Sequence, residues 1–249
     1  MKKIFFILLA LVSSVVWCQN NALFEQGKEH YKNGKFQEAI NAWEKVLDNG
    51  KHSASLYFNL GNANYKLNNI GPSIYYYEKA LQLAPADSDI KTNLKFAENT
   101  RIDAIEPLPK TILKRWYEQL AGALTYDGWA VTSVVGAILF VLLFLSYWFS
   151  ASETKKRLFF ITSVVSILVL LVGLVMAYQT YGDVLQDTPA IVFSESTQVK
   201  SEPNMGSETA FILHEGTKVQ ITATEDKWIR VLLANGKDGW IPASDVKRL

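Results

Sequence analysis

Histidine, cysteine and closely paired carboxylates are the side chains with which a chain of this kind would do chemistry, and it holds few of them. There are three histidines, His30, His52 and His214, and a single cysteine, Cys18. The histidines are far apart and at no metal-ligand spacing. Cys18 falls at the end of the N-terminal apolar segment, so the remainder offers no disulfide, thiol nucleophile or thiolate ligand. No glycine-rich loop leads into a Lys-Ser/Thr pair. No Gly-x-Ser-x-Gly elbow presents a nucleophile. The acidic residues are scattered rather than paired. The expectation is a protein that is not an enzyme and uses no cofactor or metal. A net charge of +1 over 249 residues implies no basic surface of the size nucleic acid demands. His214 lies in a turn between strand-like runs and is expected at the surface.

What remains is binding, and the elements that would present a surface decide the reading. Apolar residues make up 49% of the chain, and the excess is concentrated in three blocks. Lys2 and Lys3 precede the first, Ile4 to Val16, which reads as a secretory signal peptide covering residues 1–18. It is shorter than the roughly 20 apolar residues of a bilayer crossing; an uncleaved anchor is the alternative. Trp17 before Cys18 argues against a lipid-modified cysteine.

Residues 129–149 and 158–178 carry no charge and each has the length of one crossing. Tyr126 and Trp129, Tyr147 and Trp148, and Tyr178 and Tyr181 mark their ends as an interfacial aromatic belt. Gly136 and Gly173 are lone small residues and give no pairing motif. The intervening loop, 150–157, ends Lys155-Lys156-Arg157 and is expected in the cytoplasm. Lys110, Lys114 and Arg115 oppose that orientation from farther away. The reading is a two-pass protein of the bacterial inner membrane with both flanking segments periplasmic, in agreement with the signal peptide. Residues 107–128 form a linker before the first span. In it Ile112, Leu113, Trp116, Leu120 and Leu124 fall near one face of a candidate helix. That helix either lies in the membrane interface or is a connector packed on the preceding domain.

Residues 19–106 repeat at 34 residues. Gly27 aligns with Gly61, Tyr31 with Tyr65, Lys32 with Lys66, Ile40 with Ile74, Glu44-Lys45 with Glu78-Lys79, and Leu47 with Leu81. Tyr57, Leu60-Gly61, Ala63, Tyr77, Ala80 and Pro85 complete the second copy. A third, partial copy begins near Asp89 and is expected to close the stack. The period and residue types resemble the tetratricopeptide repeat. Small Gly61 would let paired helices approach, and Trp43 or Tyr77 would fill the space between repeats. In the run Tyr75-Tyr76-Tyr77, one ring is expected in the core and two at the rim. The resemblance implies a concave groove lined by the first helix of each repeat. By register it would present Phe24, Lys28, Tyr31, Lys32, Phe58, Asn62, Tyr65 and Lys66. Lysines and Asn62 would hold a carboxylate and the aromatics an apolar side chain, unless the rings are packing and the lysines a solvated face.

Beyond a linker at 179–187, residues 188–249 change to short alternating runs. Ala190–Phe193, Gln198–Lys200, Thr209–Leu213, Lys218–Thr222, Trp228–Leu233 and Gly239–Pro242 read as strands. Asn235-Gly236 signals a two-residue hairpin. A small closed or half-open barrel is expected. Trp228-Ile229-Arg230-Val231 and Gly239-Trp240-Ile241-Pro242 resemble the bacterial SH3 domain, a family that binds cell-wall peptides or protein partners. Trp228 and Trp240 are then candidates for a binding surface, or else they pack and cap the barrel.

The expected fold is therefore multi-domain: helical tetratricopeptide-like repeats, a two-helix transmembrane hairpin and a C-terminal all-β SH3-like barrel. The whole order resembles the BatE-type family of aerotolerance-operon proteins. That resemblance implies a membrane-anchored scaffold for other Bat-type membrane proteins, several with von Willebrand factor A-like domains, in a genetic setting with a MoxR-type ATPase. Peptidoglycan binding through the SH3-like module is the alternative.

Overall fold

A computed structural model describes residues 20–249; the signal-peptide reading of 1–18, with Cys18, lies outside the described residues. The chain divides into two compact units. One joins the helical repeats, the segment to Leu108 and the C-terminal β-module; the other contains the two long apolar helices.

In the first unit, α1 (described over 20–32) and α2 (Phe36–Asp48) form one helical hairpin, and α3 (Ala54–Lys66) and α4 (Ile70–Leu83) a second. A fifth helix, α5 (Ser88–Asn99), follows. The 34-residue period is visible in the element starts, Phe36 against Ile70 and Ala54 against Ser88. Ser53 and Asp87 cap α3 and α5, each side chain accepting from a backbone N–H of the first turn. A Cβ on Gly61 would lie 2.6 Å from the Tyr77 ring, and one on Gly27 2.2 Å from Trp43 Nε1. The large rings therefore sit over the glycine of their own repeat. Ser73, fully buried, donates to the Gly61 carbonyl at 3.0 Å, which satisfies a hydroxyl at an otherwise apolar position.

Tyr75, Tyr76 and Tyr77 are all buried, contrary to the expectation of two rim rings. The reason is that α4 is covered on several sides, by α3, by α5 and by the β-module.

The β-module is one antiparallel seven-stranded sheet in the order β3-β2-β6-β5-β4-β1-β7. Its strands are β1 (Pro189–Val192), β2 (Ser196–Lys200), β3 (Thr209–His214), β4 (Lys218–Glu225), β5 (Trp228–Leu232), β6 (Asp238–Pro242) and β7 (Val246–Arg248). The last, β7, has no counterpart in the strands read from sequence. Leu213 from one edge strand and Val246 from the other pack on the same cluster as Val199, Ile229 and Ile241. A single sheet encloses a common core from both edges only by coiling round it, the barrel-like form expected. The Asn235-Gly236 turn is a three-residue loop, not a two-residue one. Gly236 N–H donates to the Leu233 carbonyl, Leu233 N–H to that of Lys237, and only Gly236 takes positive φ (+86°).

The β-module packs directly on the repeats. Glu215 Oε1 accepts from the backbone N–H of Gly71 at 2.7 Å, at the start of α4. Lys218 Nζ lies 2.7 Å from Glu78 Oε1. The Lys247 ammonium sits 4.6 Å from the Tyr75 ring centre and 5.6 Å from that of Phe193, while those two rings meet edge to face. His214 is half-buried, correcting its expected exposure. Its Nδ1 lies 2.7 Å from Asp103 Oδ1, and its backbone N–H donates to Asp103 Oδ2 at 2.6 Å. The Thr217 hydroxyl donates to Oδ2 as well, at 2.7 Å. Burial alone would raise the Asp103 carboxyl; the hydrogen bonds from His214 and Thr217 outweigh it and hold the group below the usual aspartate value.

The second unit holds α6 (Ile112–Ala121), α7 (Tyr126–Phe149) and α8 (Glu153–Gln186). The apolar stretches of α7 and α8 are long enough to cross a membrane and mostly unburied. Both helices outrun the apolar segments, because the charged and polar residues at their ends continue the helix. Lys155, Lys156 and Arg157 accordingly stand in the first turns of α8 rather than in a loop. Gly136 and Gly173, expected to give no clear pairing motif, are points where α7 and α8 approach closely. A Cβ on Gly136 would lie 2.9 Å from Leu170 N, and one on Gly173 2.9 Å from Ser133 N. Ser133 donates to the Leu170 carbonyl across the pair at 3.1 Å. The Tyr126 and Tyr181 rings meet at one end and those of Tyr147 and Phe160 at the other. Trp129 departs from the expected belt; it is buried, with Nε1 directed to the Ala121 carbonyl at 3.4 Å.

Candidate functional site

The helical period brings α1, α3 and α5 into register, so that Phe24, Phe58 and Thr92 share one position, Lys28, Asn62 and Phe96 the next, and Tyr31, Tyr65 and Asn99 a third. Lys32 and Lys66 follow. Along this line the side chains differ in how far they are already engaged. Lys28 Nζ is 2.9 Å from Glu25 Oε2 and 5.8 Å from the Phe24 ring centre. Tyr31 packs edge-on to Phe36 at 5.2 Å and beside Trp43 at 6.1 Å, so it is partly a packing ring, and burial raises its phenol. Phe58 leans on Tyr77 at 5.9 Å.

Asn62 is the most organised member. Its Oδ1 accepts from the Tyr77 hydroxyl at 2.6 Å and from Asn93 Nδ2 at 2.9 Å. With the oxygen held twice, the amide nitrogen is the free end of the side chain. Tyr77 is suited to that role, because burial keeps its phenol protonated and therefore a donor. Tyr65 is half-buried, and Lys32 and Lys66 are exposed with no hydrogen bond or ion pair among the described residues. The line thus carries aromatic rings, a fixed amide donor and two unengaged ammonium groups.

Phe96 belongs to the same line and was not singled out from sequence. It is 56% exposed, on α5, one period after Asn62. The 34-residue arithmetic that gave Asn62 from Lys28 gives Phe96 from Asn62. A cleft of about 410 Å³ opens beside Phe24, lined also by Asn21, Val46, His52, Ser55 and Leu56. His52 Nδ1 there is held at 2.7 Å from the Tyr57 hydroxyl.

In the β-module, Ile229 and Ile241 point into the core, so their neighbours Trp228 and Trp240 take the outer face. Both are half-buried and neither belongs to the core cluster. Trp240 is opposite Arg230 on β5 and opposite Lys200 on β2, which sets an indole between two cationic side chains in one cross-strand row. Arg230 Nε donates to Asp238 Oδ2 at 2.7 Å. Lys200 is buried and donates to the Thr209 hydroxyl at 2.9 Å and the Ser207 carbonyl at 3.3 Å. His30, His52 and His214 are in separate places, and no cluster of metal-ligating side chains occurs among the described residues.

Two family models match the chain. One, the tetratricopeptide repeat, covers residues 24–88, and the other, the bacterial SH3 domain, covers 195–247. Both are interaction modules, and no enzyme family is indicated. No curated protein matches the chain. The parts that join the two modules, the segment after α5 with Asp103 and strand β1, fall outside both matches.

Proposed function

We propose that the protein is a non-enzymatic scaffold, anchored in the bacterial inner membrane by α7 and α8, that holds a segment of another membrane or periplasmic protein against the α1-α3-α5 line. The observation that carries this reading is the state of that line. Phe96, Lys32 and Lys66 stand exposed and unengaged beside an amide at Asn62 whose orientation is already fixed. Groups held in place before binding lose less entropy when a partner arrives. The line suits an extended or helical segment with an apolar side chain for Phe58 and Phe96 and a carboxylate for Asn62, Lys32 and Lys66.

The basic residues at the start of α8 support a cytoplasmic position for the α7–α8 turn, with both ends of the hairpin on the periplasmic side. The resemblance to the BatE-type family points to Bat-type partners with von Willebrand factor A-like domains, within an aerotolerance or stress-related complex. Crosslinking in native membranes followed by mass spectrometry tests this. Recovery of such proteins, reduced by Lys32→Ala with Lys66→Ala, supports the reading, and recovery of no protein partner refutes it.

A second reading rests on the outer tryptophan face. An indole between two cations fits the sugar faces and carboxylates of peptidoglycan. Cosedimentation of the full chain with purified cell-wall sacculi, lost on Trp240→Ala, would move the weight to wall anchoring.

A further inference from the structure

The helix that precedes the hairpin has a polar side, an apolar side and a fixed height. At 100° per residue, Ile112, Trp116, Leu120 and Leu113 fall within an arc of about 100°, while Lys114 and Glu118 fall opposite. Within the structure this apolar arc is uncovered: Leu113 is 76% and Trp116 67% exposed, and no residue of α6 is buried. Lys110 Nζ lies 2.7 Å from Glu118 Oε2 on the polar side. At the border of the arc, the Tyr117 hydroxyl donates to Asp183 Oδ2 on α8 at 2.5 Å. That hydrogen bond, then burial, push the Tyr117 phenol up to about 12, so it remains a donor throughout the physiological range.

Asp183 is five residues past Tyr178, where the apolar run of α8 ends, and so about 8 Å farther along the helix at 1.5 Å per residue. A helix with its side chains is about 10–12 Å across, so one held at that height reaches down to the end of the apolar run with its apolar side chains. Tyr126 and Tyr181, in ring contact at 5.7 Å, mark the same end of the hairpin.

We infer that α6 lies flat in the headgroup layer of the bilayer that α7 and α8 cross, its Ile112–Leu113–Trp116–Leu120 face sunk among the acyl chains and the Tyr117–Asp183 hydrogen bond holding it at that depth. Lys114 and Arg115, on the outward side, face anionic headgroups or water. The inference rests on the membrane reading of the hairpin and adds a second, parallel contact with the same bilayer. It converts residues 112–121 from a flexible tether into a fixed stop.

The test uses the full chain in nanodiscs of phosphatidylcholine and phosphatidylglycerol. With Cys18→Ser as background, an environment-sensitive fluorophore is attached at Leu113→Cys, at Arg115→Cys or at Val141→Cys in mid-hairpin. Each is quenched by aqueous iodide and by lipids carrying a nitroxide just below the headgroup. The expected result is several-fold weaker iodide quenching and stronger lipid quenching at 113 than at 115, with the difference reduced by Tyr117→Phe. Equal iodide access at 113 and 115 overturns the inference, as does protection at 113 from both quenchers, which would mean a protein cover. If the label at 141 is open to iodide, the membrane reading fails instead, and the two failures are distinguishable.

Discussion

The Glu215 carboxylate accepts a hydrogen bond from the Gly71 backbone N–H at 2.7 Å, linking residues 144 positions apart. Gly71 is the second residue of α4, so its N–H is one that the helix cannot satisfy internally. The carboxylate also meets the positive end of the helix dipole. The start of the last repeat's second helix is thus completed by the β-module. Glu215→Ala is expected to cost about 1–2 kcal/mol, the usual worth of a capping side chain. Hydrogen exchange in the full chain should quicken at the Gly71 amide in that variant. An unchanged rate would mean that the contact does not form.

Asp103 ties the segment after α5 to the β-module, and its contribution depends on pH. Its folded value lies below the ordinary 3.8, so the ionised form stabilises the contact above that pH. The stabilisation is lost as pH falls below 3.8 through the lower folded value. At neutral pH, Asp103→Asn should lower stability by about 2 kcal/mol, in the range of hydrogen bonds to a charged group. Urea titrations of both proteins should show that gap closing in the acidic range. A gap that widens on acidification would contradict the sign.

Gly61 and Tyr77 form a close contact inside the second repeat. Gly61→Ala places a methyl 2.6 Å from the ring and should cost about 1–3 kcal/mol by overpacking. Adding Tyr77→Leu should recover part of that loss, because the smaller side chain yields. Thermal unfolding followed by far-UV circular dichroism measures both; no recovery would place the strain elsewhere.

In the hairpin, Gly136→Leu would drive a side chain into the backbone of Leu170, where a Cβ already stands 2.9 Å from N. The helices should separate. Disulfide formation between Tyr126→Cys and Tyr181→Cys, whose parent rings are 5.7 Å apart, should fall several-fold in that background. Undiminished crosslinking would mean that the glycine contact does not hold the pair.

The repeats and the β-strands were legible because each follows a local period. The 34-residue recurrence gave the helix pairs, and alternation gave six strands; the choice left open for Trp228 and Trp240 is resolved by the structure, with Ile229 and Ile241 inward and the two tryptophans outward. What the pattern could not carry was contact between distant parts. Tyr75 and Tyr76 look like rim residues until strand β1, Phe193 and Lys247 cover them. His214 looks like a turn residue until Asp103 arrives from the other module. Gly136 and Gly173 look solitary because their motif is split between two helices. Strand β7 was missed because three residues show no alternation. In the candidate groove, Phe96 was within reach of the same arithmetic as Asn62.

The claim that the α1-α3-α5 line receives a protein segment is tested most directly by placing a photoreactive amino acid at Phe58 or Phe96 in the full chain and irradiating native membranes. The expected result is an adduct with one and the same membrane or periplasmic protein at both positions, and its loss when Asn62→Ala is combined with Lys66→Ala. Labels at either position that yield no protein adduct, while the same chain cosediments with sacculi through Trp240, would contradict it.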